Sequence, residues 1–418
     1  MSAKENLVPI PVDRLQVGVY IDLQLKWHEH PFMFSRFVIT EPGQIEQLRG
    51  MGLKTVLTDP GRSTAQPLAE AAPVAAKPAP APEIQPEKKA AIDDSKRQHG
   101  RIVQCEKRYN HAANTARDVM QNLHAHPRHS GEKAAALVSD VVSSLLVDNN
   151  LIIHLMAEKE DSGSYYHALN VMILSLLLGR AMKLPEPIMN ELGLAAMFHD
   201  LGKSRVASQV LKKDPAEWSK AERSFYEQHP LYGEQIAQEV PTLSPRVRKL
   251  IRAHHERLDG SGFPDKLSAD QINPLARIIA LANRYDNLCN PLYPEQALPP
   301  AAALSRMYKN EAAHFDKRML EILVKLLGVY PPGTLVELSS GDLALVIAVD
   351  QTQLLKPTVL LYDREVDKQE APVINLAEFP QVSILRTLRR VDCAPEVLEY
   401  LMPRSRLNYF FSSEENRR

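Results

Sequence analysis

The chain has 418 residues, with 50 lysines and arginines against 51 aspartates and glutamates. That length suits two or three domains, and the balanced charge supplies no global field for a nucleic-acid polymer or a membrane surface. Three cysteines, Cys105, Cys289 and Cys393, lie far apart with no CxxC pair; this argues against a disulfide framework or a thiolate zinc site and fits a reducing compartment.

In chain order, MSAKENLVPIPVDRL has no apolar signal-peptide core, so a cytoplasmic location is expected. Residues 1–65 read as a small α+β domain: VGVYIDL, RFVIT and TVLTD are β-like runs, and QIEQLRGMG is a helix that stops at a glycine. Residues 66–97 are rich in alanine and proline and nearly lack large apolar side chains, which predicts a flexible, partly extended linker. Across 98–328 apolar residues recur at i, i+3 and i+4, broken by LPEP, DLGKS, HPLYG, DGSGFP and CNPLYP; roughly eight helices are expected. The longest apolar stretch, ALNVMILSLLLG at 168–179, is too short to span a bilayer and carries Asn170 and Ser175, so it reads as a buried helix. Residues 329–390 alternate apolar and polar positions, with a hairpin turning at SSGD, and predict a β-rich subdomain. The tail, 391–418, ending FFSSEENRR, is expected to fray. The fold class is mainly α.

The stretch AHHERLDGSGFP sets His254 beside His255, just before a glycine-rich turn. Adjacent rings do not share a helix face, so both can point inward only if the helix stops there. Three other histidine contexts fall in the same helical region: His167 in SYYHALNV, His199 with Asp200 in MFHDLGKS, and His229 in YEQHPLYG. Imidazoles with one carboxylate suit iron, manganese, zinc or nickel. Five histidines and an aspartate exceed the needs of one ion, and two ions sharing Asp200 is the natural count. Such a pair can hold a water, lower its pKa and clamp a phosphate. Lys203 follows Asp200 by one helical turn, where it can neutralise a phosphoryl oxygen.

The ordered pattern H…HDxGK…HP…HHExxDGSGxP resembles the HD-GYP domain, a branch of the HD phosphohydrolases, over residues 150–328. VDRLQVGVYIDL and HPF, within residues 1–65, resemble a domain of unknown function often found upstream of HD-GYP domains. The resemblance implies a helical bundle whose catalytic domain spans 98–328, and hydrolysis of cyclic di-GMP to pGpG and often on to GMP. It implies metal ligands at His167, His199, Asp200, His229, His254 and His255, with Asp200 bridging, and a phosphate-contacting Lys203. Gly262, Phe263 and Pro264 fill the GYP position, and through this GSGFP loop the family docks GGDEF-type diguanylate cyclases. Two divalent ions are expected, iron or manganese before nickel, magnesium, cobalt or zinc.

This chain departs from the family at several places. Asn283 stands where the family carries a further aspartate ligand, and brings a carbonyl oxygen without charge. Asp286 is the second aspartate of that run and is not assigned as a ligand. Gly163 replaces the glutamate of trinuclear members, which favours two ions. CNPLYP replaces an arginine-bearing substrate segment, and Phe263 replaces the signature tyrosine. These departures motivate a second reading, a cyclic-dinucleotide-binding interaction module with little turnover, and a third in which the substrate is another cyclic dinucleotide or pGpG. Elsewhere, His28 and His30 read as packing and turn residues, and His124, His126 and His129 as a solvated loop. Asp259 reads as a brace for its turn. Glu256 reads either as a partner orienting a ligand histidine or as a solvated helix-end residue.

Overall fold

A computed structural model describes residues 7–69, 86–147, 151–156, 164–402 and 407–413. The chain begins with β1 (Val8–Pro11), β2 (Tyr20–Asp22), β3 (Arg36–Val38), α1 (Pro42–Gly50) and β4 (Thr55–Thr58). Then come α2 (Pro86–Asn122), α3 (Pro127–Val147), β5 (Leu151–Met156), α4 (Ser164–Ala181) and α5 (Glu186–Phe198). Shorter helices follow: α6 (Ser208–Leu211), α7 (Lys220–Tyr226), α8 (His229–Ala237) and α9 (Pro245–Ala253). The longer α10 (Pro274–Cys289), α11 (Pro300–Asn310) and α12 (Lys317–Leu327) complete the helical run. The last part carries β6 (Leu335–Leu338), β7 (Leu343–Asp350), β8 (Thr358–Leu361), β9 (Val373–Asn375), β10 (Ile384–Leu388), α13 (Pro395–Leu401) and β11 (Asn408–Ser413). Helices predominate, as the sequence implies. Among the described residues no helix is long and apolar enough to cross a membrane.

Two compact units emerge, and they do not follow linear order. The first gathers Met1–Gly100, Thr334–Ile347 and Lys356–Pro403. Its N-terminal sheet runs β1-β4-β2-β3, with antiparallel neighbours. Ile10, Leu15, Ile21, Ile39, Leu48 and Val56 fill its core, beneath α1. The SSGD hairpin joins β6 to β7 as expected, with Leu335 opposite Leu345 and Gly341 at a positive φ of 90°. β10 pairs with β6, and β8 with β9.

The expected linker is shorter than its composition suggested. Residues 70–85 lie outside the described residues, but 86–97 form the first turns of α2. Pro86 opens that helix, where a missing amide costs nothing, and no proline follows it through Asn122. Lys88 is buried in the first unit and donates to the Phe32 carbonyl at 2.6 Å.

The second unit holds Arg101–Gly333, Ala348–Leu355 and Arg404–Arg418. Between Pro86 and Leu327 the described residues form eleven α-helices rather than eight, because the polar stretch 208–226 makes short turns of its own. α4 is the central rod, and every residue from Ala168 to Gly179 is buried, as the sequence predicted. It packs against α3, α5, α10, α12 and β11. Helix starts follow local chemistry: Ser219, Ser244, Asn273 and Asp316 each accept a first-turn amide through the side chain.

Two expectations are corrected here. LIIHLM, placed in the helical region, is strand β5; a six-residue apolar run with two isoleucines carries no helical period of its own. The tail does not fray at FFSS. β11 pairs with β5 in antiparallel register from Asn408↔Met156 to Ser413↔Leu151, and Phe410 and Phe411 are buried. Two adjacent aromatics bury too much apolar surface to remain in water. Residues 414–418 lie outside the described residues.

Candidate metal centre

All six expected ligands converge in the second unit. α4 carries His167, His199 caps the C-terminus of α5, and Asp200 follows it. A 3-10 turn at Leu201–Arg205 then carries Lys203, and His229 is the first residue of α8. α9 ends at Ala253, so His254 and His255 both leave the cylinder and turn toward the same place. Ligand atoms of Asp200, His229, His254 and His255 lie within 4.8 Å of one another, as do those of His167, His199 and Asp200. Asp200 belongs to both groups, which is the arrangement expected of a bridging carboxylate.

The glycines explain how close the segments come. A Cβ on Gly202 would collide with the His229 carbonyl and the Gly233 amide, both backbone groups. Gly202 therefore lets the HDxGK turn rest directly on the start of α8. Gly262 is equally confined, against the backbone of His255, Glu256 and Arg257. It brings the Phe263 amide to within 3.3 Å of the His255 carbonyl and stacks the Phe263 ring on His255, with centroids 4.4 Å apart.

Hydrogen bonds set the rings. Nδ1 of His199 donates to the Ala196 carbonyl at 2.7 Å, that of His229 to Tyr226 at 2.8 Å, and that of His254 to Ile251 at 2.6 Å. A carbonyl only accepts, so each Nδ1 carries the proton and each Nε2 presents a lone pair. His167 Nδ1 donates to Asp286 Oδ2 at 2.6 Å. The free nitrogens then face one another: His199 and His167 Nε2 are 3.2 Å apart, and His229 and His254 Nε2 are 3.4 Å apart. His255 Nε2 and Asp200 Oδ1 are buried without a hydrogen-bond partner. Lone pairs crowded in this way repel unless a cation accepts them, so the donor set fits divalent metal.

Electrostatics agree. Burial pushes the His229 and His254 rings down to about 4 and holds His199 and His255 below the ordinary range. The rings therefore stay neutral, as ligands must. Burial raises the Asp200 carboxyl, but His199 and Lys203 outweigh it and hold the group well below the usual carboxylate range. Lys203 donates to Asp200 Oδ2 at 2.6 Å. Burial favours its neutral form, yet Asp200 holds it above the ordinary lysine value. The Asp200 and Lys203 side chains remain 17% and 28% exposed, so the cluster opens to solvent.

Other sequence assignments resolve as follows. Asn283 is buried on α10, and its side-chain oxygen accepts from Asn287 at 2.6 Å. Glu256 orients no histidine and is not solvated; it is buried and accepts the Asp265 and Leu267 amides at 2.7 and 2.9 Å. With both oxygens on those amides, it serves instead to close the GSGFP loop. Asp259 braces its turn through Ser261, as expected. His30 is buried beside Ser35, while His28, His124, His126 and His129 are exposed, the last on α3 rather than in a loop. Gly163 lies outside the described residues.

Sequence reasoning missed a supporting layer. Asp286 Oδ1 accepts from Asn170 at 2.8 Å and Asn290 at 2.9 Å, beside the bond from His167 to Oδ2. Asn170 also donates to the Leu407 carbonyl, and Asn290 accepts the Leu407 amide. The available signal was Asn170 itself, a polar residue one turn after His167 in an apolar helix, which must find a partner.

A helical bundle that gathers histidines and a shared aspartate around an HDxGK turn defines the HD class of metal-site proteins. Over residues 140–319 the chain is similar to that class. Residues 140–319 match the family model described as HD domain, and residues 7–134 match a domain of unknown function, DUF3391, which extends beyond the expected boundary at 65. The chain is 29% identical over 378 residues to a Pseudomonas aeruginosa protein named cyclic di-GMP phosphodiesterase, covering 89% of each. It is 25% identical over 214 residues to a cyclic di-GMP phosphodiesterase of Borreliella burgdorferi, covering 50% of this chain and 56% of that one. It is 31% identical over 165 residues to a 3'3'-cGAMP-specific phosphodiesterase of Vibrio cholerae, covering 40% of this chain and 35% of the other.

Proposed function

We propose that the protein is a cytoplasmic, metal-dependent phosphodiesterase that hydrolyses cyclic di-GMP to pGpG or GMP and so lowers the messenger. The observation that carries this is the set of inward Nε2 lone pairs, paired at 3.2 and 3.4 Å around one shared carboxylate. His167, His199, Asp200, His229, His254 and His255 would hold two divalent ions, iron or manganese, with Asn283 as a neutral seventh donor. Ions bound in such a pair supply Lewis-acid charge and an acidified water. The chain supplies the rest. Asp200 stays ionised, the buried imidazoles stay neutral, and Lys203 keeps its proton against phosphoryl charge as the 3'-oxygen leaves. The loop of Gly262, Phe263 and Pro264, whose Phe263 ring stacks on His255, would contact the substrate and would offer a docking point for a diguanylate cyclase.

The test is turnover of cyclic di-GMP by anaerobically prepared Fe²⁺ or Mn²⁺ protein, wild type beside Asp200→Ala. Wild type yields pGpG or GMP, and Asp200→Ala loses both turnover and metal. Product from Asp200→Ala would overturn the mechanism. Full-strength binding of cyclic di-GMP without product would instead support the interaction-module reading, which the Asn283–Asn287 bond favours because it engages the replacement donor. Faster turnover of 3'3'-cGAMP or pGpG would move the substrate.

A further inference from the structure

We infer that Tyr226 is a positioning residue that holds Lys203 through its hydroxyl; this rests on the phosphodiesterase reading above. Tyr226 is the last residue of α7, three before His229. Its backbone carbonyl accepts the His229 Nδ1 proton at 2.8 Å. Its ring is clamped, with centroids 4.5 Å from Trp218 and 4.7 Å from His229. Lys203 Nζ lies 5.7 Å from the centre of this ring, so ring and ammonium are neighbours.

Lys203 donates to Asp200 Oδ2 at 2.6 Å. The Asp200 oxygens also lie 3.5 Å from His167, 3.4 Å from His199 and His229, and 3.7 Å from His254. A carboxylate that ligates cations has less charge left for an ammonium, and the same cations repel the lysine. Lysine carries a long flexible stem, and Lys203 is partly open to solvent. A second anchor then decides where its charge stands. The Tyr226 hydroxyl can accept from the ammonium, and its ring cannot swing away. Sequence reading passed over Tyr226 because YEQHP looks like a polar surface turn.

Tyr226→Phe isolates this role, since it keeps the ring contacts and the backbone carbonyl and removes one oxygen. On the full metal-loaded chain, kcat for cyclic di-GMP should fall about tenfold, the loss of one hydrogen bond to a charged group. KM, metal content and Tm should stay near wild type. Lys203→Met should lose at least as much, and the double variant no more than Lys203→Met alone. Affinity for inorganic phosphate should fall in both single variants. Wild-type turnover and phosphate affinity in Tyr226→Phe, or losses that multiply in the double variant, would overturn the inference. If wild type fails to cleave cyclic di-GMP while Tyr226→Phe still weakens phosphate binding, the substrate reading fails and the positioning role stands.

Discussion

Asp286→Asn is the sharpest probe of how the cluster is supported. Three donors converge on this carboxylate: His167 at 2.6 Å on Oδ2, and Asn170 and Asn290 at 2.8 and 2.9 Å on Oδ1. An asparagine has one oxygen for them. If that oxygen stays with Asn170 and Asn290, its NH2 faces His167 Nδ1, which must give up its proton. The proton then moves to Nε2, the atom that faces His199 and Asp200, and His167 stops being a ligand. If the oxygen turns to His167 instead, the new NH2 meets two donors in a buried site. Either arrangement loses at least one charge-assisted bond, worth ~1.5–3 kcal/mol. Loss of such supporting partners weakens metal affinity by about 10–100-fold. Competition against a chromophoric chelator under anaerobic conditions measures this, with Tm recorded in parallel. Unchanged metal affinity in Asp286→Asn would refute the assignment of Asp286 as the residue that orients His167.

Four further outcomes are expected. Gly202→Ala forces a methyl into the His229 carbonyl, where no side chain can yield, and should cost roughly 1–3 kcal/mol in urea unfolding. Gly100→Ala, exposed in α2 with open space around it, should instead stabilise the chain by about 0.5–1 kcal/mol; equal effects would discredit the close-approach argument. Phe411→Ala should cost about 3–5 kcal/mol, because β11 is core, whereas a frayed strand predicts no change. Metal-free protein should lose stability as pH falls from about 6.5 to 4. The unfolded chain takes up protons there, while His154, His229 and His254 are held down to about 4 in the fold. Urea midpoints at pH 7.5, 5.5 and 4.5 test this, and a flat profile counts against neutral rings.

The site was more legible than the frame that holds it. HDxGK and HHExxDGSGxP are local motifs whose glycines and helix ends state their own geometry, and the six expected ligand residues cluster in the structure. ALNVMILSLLLG was equally plain, since an apolar run of that length has only the core as its destination. β5 and β11 were not legible as a pair. Their partnership joins residues more than 250 positions apart, and neither run alone distinguishes strand from buried helix or loose tail. Asp286 was visible as a residue but not as a role, because Asn170 and Asn290 acquire meaning only when α4 and α10 lie side by side. Proline and alanine misled at 86–97 because composition averages over a boundary that a single residue, Pro86, marks sharply.

The bonds from Asn170 and Asn290 to Leu407 have a consequence for the order of synthesis. His167 is translated long before Leu407, yet the carboxylate that aims His167 is braced by asparagines that also grip the backbone of Leu407. Until that residue emerges, the His167 ring lacks its full support, so a local cluster in the bundle is completed only by a segment far along the chain.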